Sequence, residues 1–284
     1  MPATPWLVPP IPSGAVSKSH PRAITHLPEL VLLEPLVAVS GDWHRNLAWA
    51  LTQIRAAHKA GARLIIQLGD FGIFWPADPE RTFERELMWE LEKLGMTLIF
   101  IDGNHDNHPK LIQLGANQGQ RTRNGLVNIL PRIWWASRGA RFTAGGRTFA
   151  ALGGAYSVKG PNLLQWVNWW PGIEEPSTRD LAALGQAPAD VLLTHEAPSG
   201  ISYPNNVWVS QADELASTNV KHLVRQGMEA VEPKLVFHGH HHVRATSTLN
   251  FGDGKSAIVE ALSQDERAFC TVFLDTTTMT VRES

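Results

Sequence analysis

A single cysteine, Cys270, stands in the 284 residues, which excludes an internal disulfide framework and a thiolate metal cluster. Charge of one sign is also missing: the formal net charge is -2, so no global field draws the chain to nucleic acid or to an anionic membrane. No stretch reaches the roughly eighteen apolar residues that a membrane-spanning helix requires. The proline-rich residues 1–35 lack the basic start and apolar core of a secretory signal and read as an extended arm. With one cysteine and no signal, the cytoplasm is the default compartment. Internal repeats and heptads are absent too. The 43% hydrophobic and 18% charged composition is that of a soluble globular protein.

What the chain does have is histidine, twelve in all, and a recurring arrangement. Five short apolar runs each deliver Asp, Asn or His at their carboxyl ends. Leu36-Val37-Ala38-Val39 leads to Gly41-Asp42-Trp43-His44, and Leu64-Ile65-Ile66-Gln67-Leu68 leads to Gly69-Asp70. Met96-Thr97-Leu98-Ile99-Phe100 leads to Ile101-Asp102-Gly103-Asn104-His105-Asp106. Val191-Leu192-Leu193 leads to Thr194-His195-Glu196, and Leu235-Val236-Phe237-His238 to Gly239-His240-His241-His242. Open α/β folds place their sites at such strand ends. Because these runs spread from residue 39 to residue 242, any cut between them divides the site, and residues 36–284 read as one domain.

Between the first three runs, apolar positions recur at three and four. They predict helices over 47–60 and 82–94, closed by Gly61 and Gly95. Strand, helix, strand, helix, strand is the βαβ pattern, whose fixed hand puts the three strand ends on one edge. After Asp106 the elements shorten, and 126–133, 140–143 and 147–152 read as hairpin strands of a second, partly antiparallel sheet. Residues 156–171 form an aromatic loop. Helical material is expected over 177–184 and 213–226, with a turn or short helix over 227–232. At the tail, 256–261 and 269–274 alternate and read as an antiparallel hairpin turning at 263–267.

Residues two apart in an extended chain point the same way, so Asp42 with His44, and His240 with His242, each offer two ligands to one cavity. Adding Asp70, Asn104 and His195 makes seven oxygen and nitrogen donors without sulfur, a set suited to Mn, Fe, Zn, Co or Ni. Seven donors exceed the needs of one ion and match two when one carboxylate bridges. Two divalent metal ions side by side lower the pKa of a bridging water and neutralise a transferred phosphoryl group.

Gly41-Asp42-x-His44, Gly69-Asp70, Gly103-Asn104-His105-Asp106, His195 and Gly239-His240-x-His242 together resemble the ordered motifs of the calcineurin-like metallophosphoesterases. The resemblance implies an α/β fold, a four-layer α/β/β/α sandwich with two mixed β-sheets. It implies that Asp42, His44, Asp70 and His242 bind one ion and that Asp70, Asn104, His195 and His240 bind the other, with Asp70 bridging. His105 would lie beside the metals to stabilise or protonate the leaving oxygen, and Asp106 would orient its imidazole. Direct attack by a metal-bridging hydroxide needs no Ser or Cys nucleophile, which leaves Cys270 a core role. Leu152-Gly153-Gly154-Ala155-Tyr156-Ser157 followed by Trp169-Trp170-Pro171 is similar to a phage and bacterial subgroup without an assigned substrate.

Departures from the family pattern carry their own expectations. Phe71 to Trp75 is apolar where many members continue with an acidic or polar position. Arg45 and Asn104 are candidates to touch substrate; the alternative for Arg45 is a surface salt link. His108, His238 and His241 are expected beside the ligand set rather than in it, and Glu196 is placed to accept a ring proton from a ligand histidine. Trp43, Trp75, Trp166, Trp169 and Trp170 offer stacking surfaces for a nucleobase, or simply fill a core. The expected activity is metal-dependent phosphodiester hydrolysis, with a small phosphodiester or nucleotide as substrate. The alternative is a DNA or RNA nuclease, favoured if Arg121, Arg123, Arg132, Arg138, Arg141 and Arg147 share a face. Behind these stand a phosphomonoesterase, a protein phosphatase and a non-catalytic metal-binding scaffold. No membrane partner is expected, and oligomeric state is open.

Overall fold

Three parallel strands joined by two helices start the domain. They are β1 (Leu36–Ser40), α1 (Leu47–Lys59), β2 (Leu64–Gln67), α2 (Thr82–Leu94) and β3 (Thr97–Phe100) in a computed structural model that describes residues 26–158, 163–203, 209–252 and 254–284. Asn46 caps α1 by accepting the Trp49 N–H at 3.1 Å. Gly95 ends α2 in the left-handed conformation at φ 64°. Ala50, Ile54 and Ala57 of α1 and Phe83, Leu87 and Leu91 of α2 are the buried stripes. The two helices cover one face of the sheet.

Next come α3 (His108–Gly115), β4 (Leu126–Leu130), β5 (Ile133–Ala136), β6 (Arg141–Ala144) and β7 (Arg147–Leu152). The helix α3 has no counterpart in the sequence reading: it is short, starts at His108-Pro109, and buries only His108, Leu111 and Gly115. The strand expected over 126–133 is two, broken at Arg132, which turns the chain at φ 66°. The remainder is α4 (Thr178–Leu184), β8 (Val191–Thr194), α5 (Gln211–Val231), β9 (Leu235–His238), β10 (Ala245–Phe251), β11 (Lys255–Ala261), β12 (Thr271–Asp275) and β13 (Thr280–Glu283). Gly227 does not interrupt α5; a Cβ there would press on Leu152 and Leu184, so the missing side chain lets the helix lie close to β7.

Among the described residues, seven strands form one sheet in the order β13-β12-β1-β2-β3-β5-β4, and six form the other in the order β10-β11-β9-β8-β7-β6. Both sheets are mixed, with parallel centres and antiparallel edges. Side-chain alternation builds the layers. Ala38, Ile65 and Leu98 face α1 and α2, whereas Val37, Val39, Ile66 and Ile99 meet Phe149, Ala151, Leu193 and Phe237 of the opposite sheet. Leu192 and Val236 turn outward to Leu184, Val224 and Met228 of α4 and α5. The result is the expected four-layer α/β/β/α sandwich. Each fully buried Leu, Ile or Phe in these layers contributes roughly 1.5–3 kcal/mol.

The tail corrects the sequence reading. Strands β11 and β12 are not a hairpin: β11 lies between β9 and β10, and β12 pairs with β1 in the other sheet. Their alternation is real, but each buries its apolar face against a different sheet. The connection 262–270 therefore crosses from one sheet to the other. Residues 1–25 of the proposed arm lie outside the described residues, while 26–35 run along the body, where Leu32 joins the inter-sheet core and its carbonyl accepts the Gly145 N–H at 3.0 Å. Among the described residues no helix is long and apolar enough to cross a membrane.

Candidate active site

Because β1, β2 and β3 run parallel in one sheet and β8 and β9 run parallel in the other, all five strand ends meet along one rim. Two glycines allow the loops there to touch. A Cβ at Gly69, which sits at φ 96°, would press on the His195 ring, and one at Gly103 would meet Asp70. Asp42 and Asp70 are 0% and 2% exposed. Neither has a lysine or arginine partner among the described residues; His44, His195 and His242 stand around them instead.

One donor atom each from Asp42, His44 and His242 lies within 4.8 Å of the others, and the same holds for Asp42, Asp70 and His195. Asp70 faces both sides, with Oδ2 3.7 Å from His44 Nε2 and Oδ1 3.5 Å from His195 Nε2. Asn104 Oδ1 lies 3.1 Å from His195 Nε2. His240 packs its ring 5.1 Å from that of His195 and belongs to neither compact trio; its Nε2 is 3.6 Å from Glu196 Oε2, leaving Nδ1 as the nitrogen available to ligate.

Ring orientation follows from what holds the other nitrogen. His44 Nδ1 donates to Asp265 Oδ1 at 2.8 Å, and His195 Nδ1 donates to the Leu68 carbonyl at 2.6 Å. In both rings Nε2 points at the carboxylates, as metal ligation demands. Burial pushes the Asp70 carboxyl up, but His195, His105 and His44 outweigh it and hold it well below the ordinary range. Burial lowers His195, and Asp70 and Asp42 outweigh that, pushing it up to about 10. Burial takes His240 down to about 3. Two buried carboxylates ringed by imidazoles and an amide oxygen form a donor set that fits divalent cations, which would supply the compensation that buried charge requires.

His105 sits beside this cluster with its Nδ1 donating to the Asn168 carbonyl at 2.8 Å. Asp106 does not orient that ring. Its carboxylate accepts the backbone N–H groups of Gly103, Gly72 and Phe71 at 2.8, 2.7 and 3.3 Å, tying the β2 and β3 loops together. Burial and the neighbouring Asp70 push Asp106 up to about 6. A cavity of about 380 Å³ opens next to the cluster, lined by His44, Arg45, Asp70, Gly72, Trp75, His105, Leu163 and Asn168. Arg45 lines it, yet its fork is taken by the Gly72 carbonyl at 3.0 Å and by an ion pair with Asp78. Glu196 is fully buried and accepts from His241 Nε2 at 2.6 Å, so its main partner is a neighbour of the candidate ligands. His238 bonds Tyr203 at 2.7 Å, and His108 is buried near Asp102.

Of the tryptophans, Trp43 and Trp170 are core residues, Trp75 lines the cavity and Trp166 is exposed. The six arginines do not form one face. Arg121, Arg138, Arg141 and Arg147 are bonded to internal carbonyls, and Arg138 also pairs with buried Asp102 at 2.8 Å. Exposed Arg123 precedes β4 near the site edge, whereas Arg132 turns into β5 at the opposite edge. The sequence reading missed Asp265, Asn168 and Ser157. Asp265 reaches His44 because the β11–β12 connection crosses the site, and nothing in its local sequence marks it.

Similar solved structures carry the same fold. The chain is 15% identical to the TT1561 protein of Thermus thermophilus, with a TM-score of 0.54, 88% of this chain covered and 97% of that one. It is 12% identical to a dimetal phosphatase from Danio rerio, with a TM-score of 0.52 and coverage of 84% and 91%. No curated protein matches the sequence. The model of the calcineurin-like phosphoesterases matches residues 35–244, a span that contains all five strand ends of the site. On that match and on this sandwich, the chain belongs to the calcineurin-like phosphoesterase family, a group of hydrolases dependent on a dinuclear metal centre.

Proposed function

We propose that the chain hydrolyses phosphodiester bonds in nucleotide-sized substrates. Asp42, His44, Asp70 and His242 would hold one divalent ion, and Asp70, Asn104, His195 and His240 the other. The observation that carries this reading is Asp70, a buried carboxylate whose two oxygens face separate histidines on its two sides. Ions of the Mn, Fe, Zn, Ni or Co class, when bound, lower the pKa of water and neutralise phosphoryl oxygens.

The protein's own groups set the rest. His105 Nδ1 is committed as donor to the Asn168 carbonyl, so Nε2 is the nitrogen left for a departing oxygen, and it is the doubly protonated ring that carries a proton there to give. A cavity of about 380 Å³ is of small-ligand size. Trp75 and Leu163 give it an apolar wall for a base or aryl group, while Asp78 balances the Arg45 charge. A nuclease needs a continuous cationic track, and four of the six arginines that would supply it are bonded internally.

The test is a substrate panel of cyclic and linear nucleotide diesters, phosphomonoesters, plasmid and single strands across metals and salt. Nucleotide diesters should turn over fastest with weak salt dependence, and Asp70→Asn and His195→Ala should lose bound metal together with activity. Faster cleavage of plasmid or single strands, falling steeply with salt, would replace this reading with the nuclease. Full activity and metal content in both variants would end the proposed ligand assignment.

A further inference from the structure

We propose that Asp265 is the positioning residue that keeps the His44 ring turned with Nε2 toward the first ion, and that it thereby sets the affinity of that site selectively. The proposal rests on the reading of His44 as a metal ligand. His44 is not held by packing: its side chain is 29% exposed, whereas that of His195 is fully buried. The ligands of the other ion are oriented from inside the fold, His195 by the Leu68 carbonyl and Asn104 by Ser157 Oγ, 2.9 Å from its Nδ2. A partly exposed imidazole needs a tether, since half a turn of the ring would present a carbon where the ligating nitrogen belongs.

Asp265 supplies that tether, and the direction of each bond in it is fixed. The Trp49 backbone N–H donates to Asn46 Oδ1 at 3.1 Å, so the other end of the Asn46 amide is Nδ2, which donates to Asp265 Oδ2 at 2.9 Å. Asp265 Oδ1 lies 2.8 Å from His44 Nδ1. An ionised carboxylate only accepts, so Nδ1 carries the proton. In the neutral ring the Nε2 lone pair is then free, facing Asp42 Oδ2 at 3.9 Å and Asp70 Oδ2 at 3.7 Å. The residue that caps α1 thus also locks the carboxylate that aims His44.

The same short segment braces the whole of the first trio. The Asp265 N–H donates to the Asp42 carbonyl at 2.8 Å, and Ser263 Oγ donates to the His242 carbonyl at 3.2 Å. Gly41 lets the segment come this close, because a Cβ there would strike the Ser263 carbonyl. Among the described residues, 263–265 bond Asp42, His44 and His242 and none of Asn104, His195 and His240. That division is what makes the effect selective for one ion. The brace also comes from outside residues 35–244, the stretch that carries the family motifs.

The experiment measures Mn²⁺ binding to the full-length protein by equilibrium dialysis, with melting by circular dichroism as the check on folding. His44→Ala serves as reference and should weaken one of two sites. Asp265→Asn keeps the shape but offers one acceptor where two are needed. Either its amide opposes that of Asn46, or it donates to His44 Nδ1 and drives the ring proton to Nε2, where the ion should bind. It and Asp265→Ala should each weaken that site by roughly 10- to 100-fold and leave the other within about twofold of the parent. The double variant His44→Ala, Asp265→Ala should bind no worse than His44→Ala alone, since the tether acts through the ring. Glu266→Gln, which keeps an acceptor for Asn46 and does not touch His44, should bind as the parent does. An equal loss in Glu266→Gln, or equal weakening of both sites by the Asp265 variants, would reduce Asp265 to loop packing and overturn the proposal. If His44→Ala loses a site while both folded Asp265 variants bind two ions as the parent does, the tether is refuted and the ligand stands. If His44→Ala binds as the parent, the ligand assignment fails and the tether with it. Should Asp265→Ala not fold, the isosteric Asp265→Asn decides.

Discussion

His105 carries its chemistry on one nitrogen, because the Asn168 carbonyl occupies the other. A proton held at Nε2 matters most when the departing oxygen is a poor leaving group. His105→Ala should therefore slow an alkyl or nucleoside ester by roughly 10²–10⁴-fold, and slow a p-nitrophenyl ester far less. Equal losses on both substrates would remove the proton-donor role and leave an electrostatic one. Cys270 is the opposite kind of residue. Burial pushes its thiol up to about 11, and its nearest polar neighbour is Ser40 Oγ at 3.6 Å. Native protein at pH 8 should resist a thiol reagent and react with one equivalent only in denaturant; rapid labelling without denaturant would contradict the buried position. Both residues were visible in sequence, one as a strand-end motif and one as an isolated thiol in an apolar run. The carbonyl that orients His105 was not, since any residue has a carbonyl and only the loop's path brings this one near.

At the level of elements, α3 shows why a short helix escapes periodicity: it buries only His108, Leu111 and Gly115, too few positions to repeat. Its first residue still has a measurable effect. Burial, with Arg138 nearby, takes His108 down to about 4 from its ordinary 6.5. The unfolded chain therefore binds that proton first, so the contribution is complete above about pH 6.5 and is lost as pH falls toward 4. Urea midpoints compared at pH 7 and pH 4.5 should show a loss, up to ~3 kcal/mol, in the parent that His108→Gln does not share. Identical acid losses in the two proteins would count against a neutral buried His108. The helix α5 teaches a related lesson, because Gly227 reads as a stop in sequence and is instead a point of close packing against Leu152.

For the whole molecule, the two sheets meet at a site whose buried carboxylates, Asp42 and Asp70, need cations. Binding to the folded state alone stabilises it, and each ion at a hundredfold its dissociation constant adds roughly 2.7 kcal/mol. Chelation should lower the melting temperature by roughly 5 to 10 °C per ion at this size. Asp70→Asn should lose this metal-dependent gain, so that chelation shifts its melting temperature far less than the parent's. An equal shift on chelation in the two proteins would argue against Asp70 as a ligand. The motif residues Asp42, His44, Asp70, Asn104, His195, His240 and His242 were legible because strand periodicity and strand-end position are local properties, readable over a short window of sequence. So were the parallel crossovers and the two-sheet class. The partnership of β12 with β1, the passage of Asp265 over His44, the burial of Trp43 and the internal bonding of four arginines were decided only by the tertiary structure. Alternation tells a strand that one face must be buried, but which sheet buries it depends on chain folded far away in sequence.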